Sequence, residues 1–172
     1  MPLSIRLLTS YLRRQVFFGG INVILFYKYA KYSSIDAKED KFMNKIVEEL
    51  KKVKVFYIAT IDGDKPRVRP FGTIAEVNGD AYICCGNFKD VYKQIKINPN
   101  VEMCGMYDAT SWLRVNARLL EDNDIKVQQA VLDDPTGPKG LYEAGDGKMA
   151  TFKLTNVIAK KFSFFTAPEE VK

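Results

Sequence analysis

The sequence predicts an α+β domain built around an antiparallel barrel or curved sheet. Runs of β-branched and aromatic residues, such as VFYIATI at 55–61, read as buried strands. Asp-Gly and Asn-Gly pairs lie between several of these runs, and such pairs are typical of tight hairpin turns. A few amphipathic helical patterns are interposed. Strands joined by hairpins, with only a few helices, are typical of α+β folds rather than of parallel sheets.

The first element is a helix. Ser33 and Asp36 resemble a capping box, and an amphipathic segment with one apolar face follows. That face consists of Ile46, Val47, Leu50 and Val53. Later helices are predicted over residues 89–97 and 123–134, and a polar, glycine-rich loop over 136–148. Strands are predicted over residues 55–61, 67–77, 80–86, 101–107, 111–120, 149–155 and 157–165.

Composition restricts the possible chemistry. The chain has 172 residues, of which 47% are hydrophobic and 27% charged, and this suits one globular domain with a substantial core. Histidine is absent, which excludes Ser-His-Asp and Cys-His nucleophilic sites and histidine-ligated metals. The three cysteines show no paired CxxC spacing, so we expect no metal site and no disulfide framework. A reducing, cytoplasmic location fits this cysteine usage.

The charge is concentrated at the N-terminus. The whole chain carries a formal net charge of +5. Residues 1–42 hold seven basic and three acidic residues, and residues 43–172 hold nineteen basic and eighteen acidic residues. The larger part is therefore nearly neutral, which argues against a nucleic-acid partner.

Residues 1–42 are expected to form an N-terminal extension, and residues 43–172 the folded domain. An apolar run, VFFGGINVILFY at 16–27, follows Arg13 and Arg14 and is shorter than the ~20 residues of a membrane-spanning helix. Three interpretations remain open: the core of a secretory signal, a helix on a membrane surface, or sequence upstream of a natural start at Met43. We favour the third interpretation. Membrane contact through residues 1–42 is therefore possible but not favoured.

The segment RVRPFG, residues 67–72, is the first candidate binding motif. Arg67 and Arg69 are two residues apart, so in a strand they point to the same face. Their guanidinium groups repel each other unless an anion or carboxylates lie between them. Two solvated surface arginines are the alternative interpretation. Pro70 cannot donate a ladder hydrogen bond, which predicts an edge strand or a bulge at this point.

Several segments in order resemble the pyridoxamine 5′-phosphate oxidase-like superfamily. They are KIVEELKKVKVFYIATIDGDKPRVRPFG, AYICCGNFKDVYKQIKINPNVEM and SWLRVNARL. The similarity covers residues 43 to about 166 and is closest to small bacterial proteins of the nitroimidazole-resistance-like branch. The resemblance implies a six-stranded antiparallel split β-barrel with flanking helices. It also implies a homodimer that holds one FMN in each of two clefts between the subunits.

The same resemblance assigns a phosphate-binding role to basic residues. It places Arg67 and Arg69 on a strand that holds the ribityl phosphate and ring edge of the flavin. Lys89 matches the phosphate-binding lysine of the family and precedes a helix whose N-terminus favours an anion. A phosphate between an arginine and a lysine would relieve the like-charge repulsion.

Further cofactor contacts are implied nearby. Pro70 and Phe71 continue the arginine strand, whose backbone would face the isoalloxazine ring. Cys84, Cys85 and Asn87 lie where relatives offer small polar side chains and backbone N–H groups to the phosphate. For both cysteines, simple burial in a strand is favoured over thiol chemistry.

Two residues of the 111–120 strand are further candidates for flavin contact, Trp112 by a ring-edge or stacking contact to the flavin of the partner subunit. Trp112 is the sole tryptophan, and it lies on the strand that relatives present to the partner subunit, with core packing as its alternative role. Arg114 points to the same face and is a candidate for the electron-rich pyrimidine side of the flavin, where a cation favours reduction.

The resemblance implies an FMN-dependent oxidoreductase acting on a small molecule, with no catalytic residue assigned. The C-terminal FSFFTAPEEVK lacks the tryptophan and R-L-x-P-like motif of true pyridoxamine-phosphate oxidases, so pyridoxine-phosphate oxidation is not expected. Nitroimidazole-resistance relatives often carry a reactive histidine, and this chain has none. The alternatives are a non-enzymatic FMN-binding or electron-transfer protein and a deazaflavin-dependent reductase.

Overall fold

The computed structural model describes residues 23–172, with side chains from residue 36 onward. Over this range the chain forms three helices and eight strands. The helices are α1 (Val23–Val53), α2 (Asp90–Ile97) and α3 (Ile125–Asp133). The strands are β1 (Phe56–Asp62), β2 (Lys65–Phe71), β3 (Ala75–Val77), β4 (Asp80–Gly86), β5 (Asn100–Met106), β6 (Ser111–Glu121), β7 (Met149–Ser163) and β8 (Glu169–Glu170).

The strands form one antiparallel sheet that curls into a split barrel. Its order is β2-β1-β5-β6-β7-β4-β3, with β8 added to β7. A flat sheet of seven strands would separate β2 from β3 by about 29 Å. Only residues 72–74 join them, and the four steps from Phe71 to Ala75 span at most about 14 Å. The two ends of the sheet therefore approach each other, which confirms the predicted α+β barrel.

The strand count differs from the predicted six for identifiable reasons. The predicted strand 67–77 is two strands at opposite ends of the sheet order, interrupted at residues 72–74. The added strands β3 and β8 have three and two residues, whereas the other six have at least seven. The six long strands thus match the six that the family resemblance implies.

The two predicted final strands are one strand, β7, with an irregularity in the middle. Asn156 has a left-handed φ of 52°, and the pairing with β6 shifts between Asn116 and Arg118. Two residues of β7 here oppose one residue of β6, which is the pattern of a β-bulge. Asn tolerates the left-handed region better than most residues. Asn156 can therefore accommodate the bulge that lies between the two predicted strands.

Helix α1 begins earlier than predicted. It runs from Val23 to Val53, so Ser33 lies inside the helix and does not cap it. No glycine or proline occurs between these residues, so nothing in the sequence stops the helix near Ser33. The chain divides after Lys38, and residues Glu39–Lys172 form one compact unit. The predicted boundary at Met43 stays a prediction, and most of the 1–42 extension lies outside the described residues.

The predicted apolar face of α1 packs into the barrel. Ile46, Val47, Leu50 and Val53 are all buried in the main hydrophobic core. The close approach of helix to sheet depends on Gly105 of β5, because a Cβ there would lie 2.6 Å from a methyl group of Val53. Among the described residues, no helix has a stretch long and apolar enough to cross a membrane.

Candidate functional site

The split of the barrel lies between one edge strand and the partly uncovered strand β4. β2 pairs only with β1, and β3 pairs only with residues 80–82 of β4. In the described sheet, residues 83–86 of β4 therefore lack a strand partner on that side. Pro70 pairs with Tyr57 in an unbroken register, so its edge position, rather than a bulge, accommodates the missing N–H. Helix α2 begins just after β4, at the end of this cleft.

Arg69 points into the barrel and is held by polar groups from three elements. Its register partner is Ile58, a fully buried core residue, so both side chains lie on the inner face. Its Nη1 donates to Thr60 Oγ1 at 2.5 Å and to the carbonyl oxygens of Ile58 and Arg67, both at 3.2 Å. Its Nη2 donates to Gln94 Oε1 at 2.8 Å. Burial and the charge of Arg67 lower the pKa of Arg69 from its ordinary value, but an arginine side chain remains a cation at neutral pH.

Arg67 lies on the same face, as predicted, but pairs elsewhere. Its Nε and Nη2 both donate to Asp62 Oδ2, at 3.1 and 3.0 Å. Both side chains are about half exposed, 48% for Arg67 and 49% for Asp62, and exposed pairs of this kind contribute little to stability. Asp62 thus offsets the charge of Arg67, while neutral acceptors hold Arg69. Arg67 remains open to solvent and able to exchange Asp62 for another anion.

Lys89 stands at the N-terminus of α2. It occupies the N-cap position, and its side chain makes no capping hydrogen bond. The first turn of a helix leaves backbone N–H groups without intrahelical partners, so this end is suited to an anion. Gln94 is five residues further along the same helix, or about 7.5 Å along its axis. Lys89 and the Arg69–Gln94 contact therefore lie along the same helix, on one side of the cleft.

Cys84 and Cys85 face opposite sides of β4. Cys85 belongs to the main core, and Cys84 to a smaller core beneath α3. Burial raises the pKa of Cys84 to about 11 and that of Cys85 to about 12, although the charge of Lys89 opposes both shifts. Both thiols are therefore protonated at neutral pH, and neither is poised as a nucleophile.

The remaining predicted residues of the cleft have packing or linking roles in the structure. Phe71 packs against the core, with its ring centroid 6.2 Å from that of Phe56. Pro70 is exposed on the outer face. Asn87 Nδ2 donates to the carbonyl oxygen of Gly147 at 2.7 Å. The backbone N–H of Asn87 donates to the carbonyl oxygen of Lys148. Asn87 thus ties the end of β4 to the glycine-rich loop.

Trp112 and Arg114 lie on the outer face of the barrel. Leu113 and Val115, the alternate residues of β6, are fully buried, so the strand turns Trp112 and Arg114 outward. Trp112 stacks on Phe162 with ring centroids 5.4 Å apart and planes 8° apart. The guanidinium carbon of Arg114 lies 4.9 Å from the centre of the same Phe162 ring.

Arg114 carries a buried polar atom without a hydrogen bond. Its Nε lies 3.1 Å from Glu102 Oε1, but the pair lacks hydrogen-bond geometry, and the atom is shielded from solvent. Arg69 faces inward and Arg114 outward, so the predicted residues form two groups on opposite faces of the wall.

Two residues of the cleft were not predicted from the sequence. Gln94 and Thr60 are buried, and Thr60 Oγ1 donates to Gln94 Oε1 at 2.6 Å. The sequence carried a signal for Gln94, because it lies three residues after Val91 and one before Ile95 on the buried face of α2. A polar residue at such a position requires a polar partner.

Several solved structures are similar to this chain in fold. A NimC/NimA family protein from Clostridium acetobutylicum is 34% identical, covers 79% of this chain and 95% of its own, and superposes with a TM-score of 0.74. A protein from Listeria innocua described as a putative pyridoxamine 5′-phosphate oxidase is 18% identical, with coverages of 66% and 91% and a TM-score of 0.52.

A third structure, a pyridoxamine 5′-phosphate oxidase-related FMN-binding protein from Nostoc punctiforme, is 12% identical. Its coverages are 73% of this chain and 92% of its own, with a TM-score of 0.52. At such identities the last two structures show the fold alone. No protein-family model matches the sequence, and no curated protein matches it either.

Proposed function

The chain belongs to the NimC/NimA family of the pyridoxamine 5′-phosphate oxidase-like split barrels, and we propose that it is an FMN-dependent oxidoreductase acting on a small molecule. In this proposal each cleft between β2 and β4 holds one FMN at the interface of a homodimer. The proposed location is the cytoplasm, the reducing compartment that suits three free cysteines.

Two basic residues beside helix α2, Arg69 and Lys89, carry the proposal. Arg69 is fixed on one wall of the cleft and Lys89 at its end, beside helix N–H groups without a side-chain cap. A phosphate dianion there would gain charge-assisted hydrogen bonds and would lie at the positive end of the helix dipole. The sequence has no glycine-rich dinucleotide fingerprint after its first strand, so a mononucleotide fits better than FAD.

The outer face of the barrel supports a homodimer. The pairing registers place side chains of five adjacent strands, β2-β1-β5-β6-β7, on this face. Large apolar side chains that are about half exposed or more occupy it, namely Tyr57, Ile61, Val68, Met106 and Ile158. Several exposed large apolar side chains on one face indicate an interaction surface, although Glu102, Arg114 and Lys160 share this face. A second copy fits it best, because Trp112 and Arg114 on this face point away from the inner side of the wall that carries Arg69 in their own subunit.

FMN, when bound, supplies hydride or electron transfer, which no side chain can perform. The residues of the chain then bind and orient. Lys89 and the first turn of α2 neutralise the phosphate, while Gln94 and Thr60 hold Arg69 in place. Arg114 from the second copy would present a cation to the pyrimidine side of the ring.

A flavin-binding or electron-transfer protein without its own substrate is the second candidate. Its support is that the cleft residues described above bind charge but do not transfer protons, since both thiols stay protonated and Arg69 stays charged. A deazaflavin-dependent reductase would use the same phosphate-binding residues.

Extraction and mass identification of the chromophore from the purified full chain tests the proposal. We expect FMN, and stoichiometric uptake of added FMN if the protein is purified without it. Recovery of FAD or a deazaflavin, or a chain that does not bind added FMN, would contradict it. Stopped-flow reduction by NADH or NADPH, followed by turnover with a panel of small oxidants, separates an oxidoreductase from a passive flavin carrier.

A further inference from the structure

A cavity of about 300 Å³ lies between the C-terminal end of α1 and the paired ends of β6 and β7. Glu49 and Lys52 line it from the helix, and Tyr107, Ser111 and Lys161 from the sheet. None of the residues assigned above to the FMN cleft lines this cavity. Its volume is at the lower end of the range for small-molecule sites, so a small ligand fits it.

Glu49 anchors this cavity as a buried carboxylate. Only 1% of its surface is exposed. Lys52 Nζ donates to its Oε1 at 2.8 Å, while Tyr107 OH and Lys161 Nζ donate to its Oε2 at 2.6 and 3.0 Å. Burial alone would raise the pKa of Glu49, but these hydrogen bonds outweigh burial and lower it to about 2. Glu49 is therefore ionised at neutral pH and holds both ammonium groups at the cavity.

The two lysines retain hydrogen-bond donors for a ligand. Each ammonium group has three N–H donors. Lys52 gives one to Glu49, and Lys161 gives one to Glu49 while lying 5.7 Å from the centre of the Tyr107 ring. Their side chains are 54% and 40% exposed, so the remaining donors are accessible from the cavity. An anionic acceptor would receive charge-assisted hydrogen bonds from both.

The charges around the cavity indicate which anion fits. Lys52 and Lys161 are balanced by Glu49 and by Glu169 at the rim. A dianion such as a phosphate ester would meet two nearby carboxylates, whereas a monoanion meets less repulsion and uses the same donors. Phe162 and Ala167 add apolar surface beside the lysines, which suits a small organic body. We propose that this cavity binds a small monocarboxylate with an apolar body.

Benzoate is the probe, and benzyl alcohol is its neutral comparator. Titration of each into the full chain, followed by calorimetry and by NMR shifts of the cavity residues, should show saturable binding of benzoate only. Lys161→Met should weaken benzoate binding by at least about tenfold, the value of one charge-assisted hydrogen bond. Glu169→Gln should strengthen it, because the rim carboxylate repels the ligand.

Lys96→Met is the matched control. Lys96 Nζ also pairs with a carboxylate, Glu121, and its side chain is 52% exposed, but it does not line the cavity. If Lys161→Met does not fold, Ala167→Trp tests the site instead, because it fills the cavity from an exposed position without touching Glu49. Equal binding of benzoate and benzyl alcohol, no binding at millimolar benzoate, or equal losses in Lys96→Met and in the cavity variant would overturn the proposal.

Discussion

Gln94 Oε1 accepts hydrogen bonds from Arg69 Nη2 at 2.8 Å and from Thr60 Oγ1 at 2.6 Å, and so links helix α2 to strands β1 and β2. Helix α2 carries Lys89 at its start and Gln94 near its end. The contact therefore fixes the spacing between the two basic groups that we assign to the flavin phosphate. This spacing makes Gln94 a positioning residue for the cleft.

Replacing Gln94 with Leu should weaken FMN binding by about tenfold, because Arg69 loses the acceptor that orients it. The change should also cost about 1–3 kcal/mol of unfolding free energy, since Thr60 and Arg69 are left with unpaired polar atoms. Fluorescence titration with FMN and urea denaturation measure the two effects. Gln129→Leu on the exposed side of α3 is the control. Unchanged FMN affinity in Gln94→Leu would exclude a positioning role.

Replacing Lys89 with Met should weaken FMN binding by at least about tenfold, because a charge-assisted hydrogen bond to the phosphate is lost. The control is Lys93→Met on the same helix, whose ammonium group pairs with Asp90. FMN and riboflavin, which lacks the phosphate, are titrated into both variants. The Lys89→Met loss should appear for FMN and vanish for riboflavin. Equal losses for both ligands would place the phosphate elsewhere.

Charge on the outer face should separate the subunits. Val68 is 62% exposed on β2, and Val68→Glu would place a carboxylate in the proposed apolar interface. Sedimentation of Val68→Glu should show a monomer. The affinity for FMN should also fall, because the proposed site lies between the subunits. Ile97→Glu is the matched control, because Ile97 is 85% exposed at the end of α2 and lies outside this face. A Val68→Glu dimer with full FMN content would mean that the subunits meet elsewhere.

Glu49 should make stability fall in acid. Its pKa is lowered from 4.5 to about 2, so its contribution is fully present above about pH 4.5 and is lost as the pH falls towards 2. The contribution is on the order of 3 kcal/mol. Urea denaturation of the natural chain and of Glu49→Gln at pH 7 and pH 3 tests this. The two proteins should differ more at pH 7 than at pH 3, and an equal difference would contradict the assigned ionisation.

A chain that begins at Met43 should fold, dimerise and bind FMN as tightly as the full chain. Residues 37–41 of α1 are exposed and fully buried positions begin at Ile46, so the truncation removes only Phe42 from the described residues packed against the core. Sedimentation and FMN titration of both chains test this. A loss of more than about tenfold in affinity would show that the extension is part of the fold.

The positions of the strands along the chain were largely predictable, because each strand has a local pattern of β-branched and aromatic residues bounded by turn residues. The hairpin turn Asn78–Gly79 has left-handed φ values of 54° and 85°, as its Asn-Gly sequence indicates. The errors arose where tertiary pairing overrides a local signal. The interruption after Phe71 depends on barrel closure, and the bulge at Asn156 depends on pairing with β6. Neither partner is visible within a short window of sequence.

The candidate site was predicted in part for a similar reason. The spacing of Arg67 and Arg69 places both on one face, and Lys89 does precede a helix. Their different partners, Asp62 and Gln94, follow from side-chain positions that spacing does not specify. The outward direction of Trp112 follows from strand alternation, whereas its stacking on Phe162 depends on the register between β6 and β7.

A crystal structure of the full chain with FMN is the most direct test of the proposed cleft. We predict the phosphate within hydrogen-bond distance of Lys89 Nζ and of the first N–H groups of α2, with Arg69 still held by Gln94. We also predict that the isoalloxazine ring lies beside Trp112 and Arg114 of the second copy. A phosphate remote from Lys89, or a flavin enclosed within a single subunit, would contradict the account.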